Sequence, residues 1–177
     1  MMKPAIFLDR DNTLTRDEGY SYKVEDFQWM PGADEALRLF HQASLPVFII
    51  TNQSGIARGY FTEKDMHLFN DHLCQQAKLS GGLISDIAFC PHHPKALDEN
   101  MRQCQCRKPE IGMLTSIASK WQIDLKRSIM IGDRDSDVIA GKTAGCHSYL
   151  YDAKTSLADL ALYVLKQHFP QTLFIKR

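Results

Sequence analysis

The chain has 177 residues, enough for one domain (residues 1–177) with a sizeable core. Its 21 basic and 21 acidic residues give a formal net charge of zero, so no overall field favours nucleic acid or an anionic membrane as partner. No apolar run approaches the roughly 18 residues of a membrane span and the first residues contain no signal-peptide core, so we expect a cytoplasmic and monomeric protein.

Apolar segments of two kinds alternate along the chain. Short continuous runs at 6–8, 46–50, 83–89, 128–131 and 148–151 are typical of buried strands. A segment with apolar residues at helical spacing follows each run. These segments begin after Pro31-Gly32, at Thr62, at Pro109 and after Thr155, and one ends at Gly145. The alternation predicts an α/β fold with three layers, a doubly wound parallel sheet covered by helices on both faces. The segment 17–22 has no clear period and is interpreted as a loop or flap over the end of the first strand.

Two carboxylates, Asp9 and Asp11, follow the first strand directly. Residues i and i+2 of an extended chain point the same way, and open α/β sheets bind ligands beyond the carboxyl ends of their strands. Such a pair can bind a divalent cation, attack an electrophile or transfer a proton. By itself it is equally compatible with a solvated acidic turn.

Polar residues also follow two other strands. Thr51 and Asn52 end the second strand, and Asp133 and Asp137 follow the fourth, while Lys108 precedes the helix between strands three and four. An ordinary capped turn would explain Thr51 alone. The carboxyl ends of parallel strands meet at one edge of a sheet, so we expect these groups to converge.

Residues 90–107 form an irregular insertion that contains Cys90-x-His92 and Cys104-x-Cys106. Cysteines of a cytoplasmic protein are more often thiols or metal ligands than disulfides. Four ligands of these types suit tetrahedral zinc and leave no open position, so the metal would be structural. Buried free thiols are the alternative, and His93 is an alternative ligand to His92.

The combination resembles the haloacid-dehalogenase superfamily of phosphohydrolases. The four motifs are Leu8-Asp9-Arg10-Asp11-Asn12-Thr13, Thr51-Asn52, Lys108-Pro109 and Gly132-Asp133-x-x-x-Asp137, in that order. The resemblance implies a Rossmann-like fold with a minimal cap made of loops. It covers residues 5–151, and its one departure is Asn12, where the family has Gly.

Within that superfamily, two segments are similar to the heptose bisphosphate phosphatases of lipopolysaccharide biosynthesis. The first segment is residues 51–59. The second is the Cys/His loop, in which a long interval, residues 93–103, separates His92 from Cys104. The related histidinol-phosphate phosphatases share the paired aspartates and the Cys/His loop, with a shorter interval. The resemblance favours His92 as the zinc ligand.

Phosphate-ester chemistry and the resemblance together imply the roles of the site residues. Asp9 would attack phosphorus, Asp11 would act as general acid and base, and Asp137 would orient Lys108 or the metal shell. Mg²⁺ would be held by Asp9, the main-chain carbonyl of Asp11, and Asp133. Phosphoryl oxygens would be bound by Thr51, Lys108 and, by the resemblance, Arg107. The resemblance further implies substrate contacts from Asp17, Glu18, Gly19, Tyr20, Asn52, Gln53, Ser54 and Arg134.

The expected activity is removal of the C7 phosphate from D-glycero-D-manno-heptose 1,7-bisphosphate, a small phosphosugar. Histidinol phosphate or another small phosphomonoester is the nearest alternative substrate. A zinc-stabilised module that binds RNA through Arg102, Arg107 and Lys108 is an alternative of another class, but neutral charge and the lack of a basic stripe weigh against it.

Overall fold

The computed structural model of the protein describes residues 2–174, so Met1 and residues 175–177 of the predicted 1–177 domain lie outside the described residues. The strands are β1 (Ile6–Leu8), β2 (Val47–Asn52), β3 (Asp86–Cys90), β4 (Ile129–Gly132) and β5 (His147–Leu150). The helices are α1 (Ala33–Gln42), α2 (Glu63–Leu79), α3 (Gly112–Trp121), α4 (Asp135–Ala144) and α5 (Leu157–His168). Within residues 2–174, none of the helices has the length and apolar character needed to cross a membrane.

The five strands form one parallel sheet in the order β3-β2-β1-β4-β5. Side chains of the central strands alternate between two cores, as extended chains require. In β1, Ile6 and Leu8 pack against α1, α2 and α5, whereas Phe7 packs against α3 and α4. The predicted three-layer α/β fold is therefore confirmed.

The strand order also determines where a ligand can enter. The chain passes from β1 outward to β2 and β3, then returns to the other side of β1 with β4. This reversal creates a crevice between the carboxyl ends of β1 and β4, the position at which open α/β sheets bind ligands. Asp9 follows β1 and Asp133 follows β4, so both lie at the crevice.

Two predicted starts differ most from the structure, while other strand boundaries differ by one or two residues. The third strand begins at Asp86 rather than Leu83, since its pairing with β2 starts at Asp86 opposite Phe48. The helix expected to start at Pro109 starts at Gly112. The backbone of Lys108 is held by both polar atoms of the Asn52 side chain, at 3.0 and 3.2 Å, so the chain turns at this point before the helix can begin.

Candidate active site

A polar cavity of about 410 Å³ opens beyond the carboxyl ends of β1, β2 and β4. It gathers most of the side chains that the sequence pointed to. Its walls are formed by Asp9, Arg10, Asp11, Asp17, Gly19, Tyr20, Asn52, Gln53, Ser54, Arg107, Lys108, Arg134, Ser136 and Asp137.

Lys108 is the centre of a buried charge cluster. Its Nζ lies 2.7 Å from Asp9 Oδ1 and 2.5 Å from Asp137 Oδ1, and it donates to the Ile50 carbonyl at 2.6 Å. Burial opposes the charge on Lys108, but the two carboxylates outweigh it and raise its pKa. The lysine is therefore a fixed cation beside Asp9, and its ion pair with Asp137 favours the first of the two roles predicted for Asp137, orienting Lys108 rather than the metal shell.

The carboxylates of the cluster carry more negative charge than Lys108 offsets. Burial raises the pKa of Asp9 in spite of the lysine. Burial and the neighbouring Asp9 raise the pKa of Asp133 to about 7. Asp133 Oδ1 is buried and, among the described residues, has no hydrogen-bond partner. A buried, unpartnered carboxylate oxygen beside a second carboxylate is the arrangement that a divalent cation satisfies.

Asp9, Asp133 and Asp137 each offer a carboxylate oxygen within 4.8 Å of the others. Asp137 is already committed, since Oδ1 pairs with Lys108 and Oδ2 accepts from the Arg134 backbone N–H at 3.0 Å. Asp9 and Asp133 are consequently the carboxylates that remain for a metal. Both belong to the Mg²⁺ ligand set that phosphate-ester chemistry and the family resemblance imply.

Asp11 stands at the cavity wall with three hydrogen bonds to its carboxylate. Two come from Arg10, and Gln53 Nε2 donates a third at 2.8 Å. Burial raises the pKa of Asp11, and the Arg10 charge partly opposes that effect. A raised pKa suits a carboxyl group that has to donate a proton near neutral pH.

Three of the residues predicted for the active site, Thr51, Glu18 and Asp133, do not line the cavity. Thr51 is fully buried behind it, and its hydroxyl accepts a bond from Gln53 Nε2 at 2.8 Å. Because Thr51 has no exposed surface, a direct bond from its hydroxyl to a phosphate requires a neighbouring side chain such as Gln53 to move. Glu18 lines a neighbouring cavity of about 340 Å³ instead, because the flap turns at Gly19 and carries Tyr20 back over the site.

Asn12 adopts the left-handed conformation that a glycine would adopt, with a φ of 58°. Asn tolerates this region better than most other residues. Its Oδ1 also accepts the backbone N–H of Asp17 at 3.0 Å, a bond that glycine cannot make. The departure from the glycine of the family therefore preserves the turn and ties it to the start of the flap.

The sulfur atoms of the Cys/His loop converge on the ring of His92. Cys90 Sγ lies 2.8 Å from Cys106 Sγ and 3.5 Å from Cys104 Sγ. His92 Nδ1 is 3.4 Å from Cys106 Sγ and 3.6 Å from Cys90 Sγ. Ligand atoms of tetrahedral zinc are separated by roughly 3.3–3.8 Å for the usual zinc–ligand bonds, so the set fits zinc with modest adjustment.

The other histidine of the loop faces away from the sulfur atoms. His93 Nδ1 accepts a bond from the Lys95 backbone at 3.0 Å, which leaves His92 as the fourth candidate ligand. Burial opposes ionisation of Cys104, but hydrogen bonds from backbone N–H groups, chiefly that of Arg107, outweigh burial. The pKa of the Cys104 thiol is therefore lowered. The loop therefore connects directly to Arg107 at the cavity wall.

Sequence reasoning gave no role to Arg10 and Ser136, which line the cavity, or to Asn70, which holds Arg10. Arg10 lies between the paired aspartates and is almost wholly buried, and Asn70 on α2 accepts one of its hydrogen bonds. The sequence did contain one indication of Asn70: it is a polar residue on the apolar face of α2, among Met66, Phe69 and Leu73.

The comparisons with known proteins agree with this geometry. Residues 105–173 match the HAD-hydrolase-like family model. A D-glycero-beta-D-manno-heptose-1,7-bisphosphate 7-phosphatase of Rhodopseudomonas palustris is 40% identical over 153 residues, 86% of this chain and 85% of that protein. A D-glycero-alpha-D-manno-heptose-1,7-bisphosphate 7-phosphatase of Photorhabdus laumondii is 41% identical over 142 residues, 80% of this chain and 78% of that protein.

A solved structure gives the same result in three dimensions. D,D-heptose 1,7-bisphosphate phosphatase from B. bronchiseptica, complexed with magnesium and phosphate, superposes with a TM-score of 0.81 at 30% identity. The match covers 94% of this chain and 99% of that one. The chain therefore belongs to the D-glycero-D-manno-heptose-1,7-bisphosphate 7-phosphatase family of the haloacid-dehalogenase-like hydrolases.

Proposed function

We propose that this protein is a Mg²⁺-dependent phosphomonoesterase that removes the C7 phosphate of D-glycero-D-manno-heptose 1,7-bisphosphate. The observation that carries the proposal is the buried Asp9–Lys108 pair at the inner end of a polar cavity, in a chain about 40% identical to enzymes with that name. The pair places a nucleophilic carboxylate beside a fixed positive charge, as attack on a phosphate dianion requires.

The metal site is assigned to Asp9, Asp133 and the main-chain carbonyl of Asp11. The unpartnered Asp133 oxygen supports this assignment, as does the excess negative charge of the carboxylate cluster. When bound, Mg²⁺ supplies positive charge that lowers the repulsion between the phosphate and the attacking carboxylate.

Asp9 attacks phosphorus, so that a bond from its carboxylate oxygen to phosphorus forms as the bond from phosphorus to the C7 oxygen breaks. Asp11 donates a proton to the departing sugar oxygen, which is a poor leaving group as an alkoxide. Asp11 then accepts a proton from water as the water oxygen attacks phosphorus. Inorganic phosphate leaves and the Asp9 carboxylate is restored.

Other side chains in and beside the cavity are assigned to substrate binding. We assign Lys108, Arg107 and Thr51 to the transferred phosphate, with Thr51 acting after the Gln53 amide turns away. The rest of the phosphosugar is assigned to Asp17, Glu18, Gly19, Tyr20, Asn52, Gln53, Ser54 and Arg134. Glu18 reaches the sugar only from the mouth of the cavity, since it lines the neighbouring one.

The zinc loop is assigned a structural role. Zinc held by Cys90, His92, Cys104 and Cys106 leaves no open position for substrate. The Arg107 side chain donates to the His92 carbonyl at 3.1 Å, so the ordered loop supports a phosphate-binding residue.

The same proposal includes a monomeric, single-domain, cytoplasmic enzyme without a nucleic-acid or membrane partner. All five cysteines are free thiols, and four of them, Cys90, Cys104, Cys106 and Cys146, lie in or against one hydrophobic core. Unpaired thiols suit a reducing compartment. Neutral net charge argues against RNA. Size-exclusion chromatography with light scattering measures the oligomeric state.

The test is phosphate release from heptose 1,7-bisphosphate, with and without Mg²⁺, followed by NMR identification of the sugar product. We expect a Mg²⁺-dependent reaction that leaves the C1 phosphate in place. Relatives named for both the alpha and the beta anomer exist, so both anomers are assayed. Salt-sensitive RNA binding without phosphate release would contradict the proposal and support the binding module.

A further inference from the structure

Among the described residues, Arg10 is the largest side chain with almost no solvent exposure, at 1%. A buried guanidinium is costly unless its N–H groups find acceptors. Each of its nitrogen atoms does: Nε bonds Asp11, Nη1 bonds Asn70, and Nη2 bonds Asp11, the Ser21 carbonyl and Gln53. Its carbon atom Cζ also lies 4.8 Å from the centre of the Phe69 ring.

The contact between Arg10 and Asp11 is a two-bond fork. Nε donates to Oδ1 at 2.9 Å and Nη2 donates to Oδ2 at 3.2 Å. A fork of this kind fixes the plane of the carboxylate as well as its distance. Gln53 adds a second bond to Oδ2, so Oδ1 keeps an unused lone pair while Asp11 still lines the cavity.

Arg10 is itself held from α2. Asn70 is buried and accepts from Nη1 at 3.0 Å, and Phe69 packs against the guanidinium from the same helix. Replacing Asn70 would leave a buried donor unsatisfied, so the guanidinium would have to move to find another acceptor. Movement of the guanidinium would carry the Asp11 carboxylate with it.

We propose that Arg10, anchored by Asn70, is the positioning residue of the acid–base carboxylate Asp11. The inference rests on the role given to Asp11 in the proposed function and extends it to two residues that neither attack phosphorus nor transfer the proton. A proton-transfer group has to lie within about 2.6–3.2 Å of its partner, and misplacement by about 1 Å costs on the order of 100-fold in rate. Loss of the fork should therefore impair proton donation selectively.

The test compares leaving groups. Arg10→Lys keeps the charge but not the fork, and Asn70→Leu removes the anchor while Arg10 stays. Each variant is assayed with p-nitrophenyl phosphate, whose leaving group needs no proton, and with whichever alkyl phosphate the wild type hydrolyses fastest. We expect kcat/KM to fall on the order of 100-fold for the alkyl phosphate in Arg10→Lys and far less for the aryl phosphate.

Leu73→Ala is the control, because Leu73 is buried on the same helix one turn beyond Phe69 and packs in the hydrophobic core. It should destabilise the protein without changing the alkyl-to-aryl ratio. If Arg10→Lys does not fold, Asn70→Leu provides the ratio.

Equal losses on both substrates, or no loss on either, in the folded variants would overturn the positioning role and leave the proposed function intact. A wild type that hydrolyses neither class of phosphate would instead overturn the proposed function, and this inference with it. Because the alkyl phosphate is chosen by activity, an error in the heptose assignment does not affect the test.

Discussion

Lys108 and Asp9 are 99 positions apart in the chain, yet Nζ of the lysine lies 2.7 Å from Oδ1 of the aspartate. Both side chains are buried, and the lysine is held on its other side by Asp137 and by the Ile50 carbonyl. Four segments therefore fix one ion pair, and the pair has little freedom to adapt to a displaced partner. This rigidity matters because attack on phosphorus tolerates only small errors in position.

Gly132→Ala should disturb that pair from behind. A methyl group at Gly132 would overlap the carboxyl group of Asp137, which is buried and holds Lys108. We expect kcat/KM to fall on the order of 100-fold for aryl and alkyl phosphates alike. Gly81→Ala is the control. Gly81 has a φ of 80°, which would strain an alanine, and it lies away from the cavity, so this substitution should lower only the melting temperature. Wild-type kinetics in Gly132→Ala would show that Asp137 does not position the lysine.

Asp11→Asn should separate the two leaving-group classes. An amide cannot donate the proton that a sugar alkoxide needs, whereas an activated aryl phosphate departs without it. General acid–base groups contribute roughly 10²–10⁴-fold, and the loss should fall mainly on sugar phosphates. Steady-state kinetics with both substrates measures it. The assigned role fails if the two losses are equal.

The relative kcat/KM of different phosphate esters tests whether heptose 1,7-bisphosphate is the substrate. We expect kcat/KM for heptose 1,7-bisphosphate to exceed that for histidinol phosphate by at least about 100-fold, because a site built to hydrogen-bond one substrate leaves polar groups unpaired with another. The measurement is a parallel assay of both anomers and histidinol phosphate. The reverse order would replace the substrate while keeping the mechanism.

Cys106→Ser should lose zinc and lower kcat/KM although Cys106 performs no chemistry. Residues 90–107 contain only one short helical turn, so metal binding has to supply much of their order. Cys106 adjoins Arg107, and a displaced loop would misplace the phosphate ligands. Elemental analysis should give about one zinc per wild-type chain.

Cys146→Ser is the matched control for the zinc loop, because Cys146 is a buried thiol outside the cluster and should keep the zinc. Zinc-free protein with unchanged kinetics and melting temperature would contradict the structural role. The Mg²⁺ site on Asp9 and Asp133 should remain able to bind metal in Cys106→Ser.

The order of elements and the edge of the sheet that holds the site could be predicted from the sequence. Continuous apolar runs such as 46–50 signal strands buried on both faces, and a parallel sheet brings all their carboxyl ends together. The position of Asp9 follows from that topology, because Asp9 comes directly after β1, whereas Lys108 is also held in place by the Asn52 side chain. Spacing and ligand type indicated the zinc cluster, because its members are near neighbours in the chain, but only the family resemblance favoured His92 over His93.

Other features depend on contacts that no local pattern encodes. Burial of Arg10 depends on Asn70 and Gln53, which come from different segments, so periodicity could not reveal it. The start of α3 depends on the bond between Asn52 and the Lys108 backbone. Thr51 does not line the cavity because it is buried beneath neighbouring side chains such as Gln53, and Glu18 does not because the backbone of the flap turns at Gly19.

Asp9→Asn provides the most direct test of the account. The amide oxygen of Asn cannot replace the carboxylate as nucleophile, while Lys108, Asp137 and the rest of the cavity remain in place. The decisive measurement is kcat of folded Asp9→Asn protein with saturating phosphosugar and Mg²⁺, with folding verified by circular dichroism and melting temperature. The account predicts no measurable turnover. Retention of even about a tenth of the wild-type kcat, far above the residual expected without a nucleophile, would place the attacking group elsewhere.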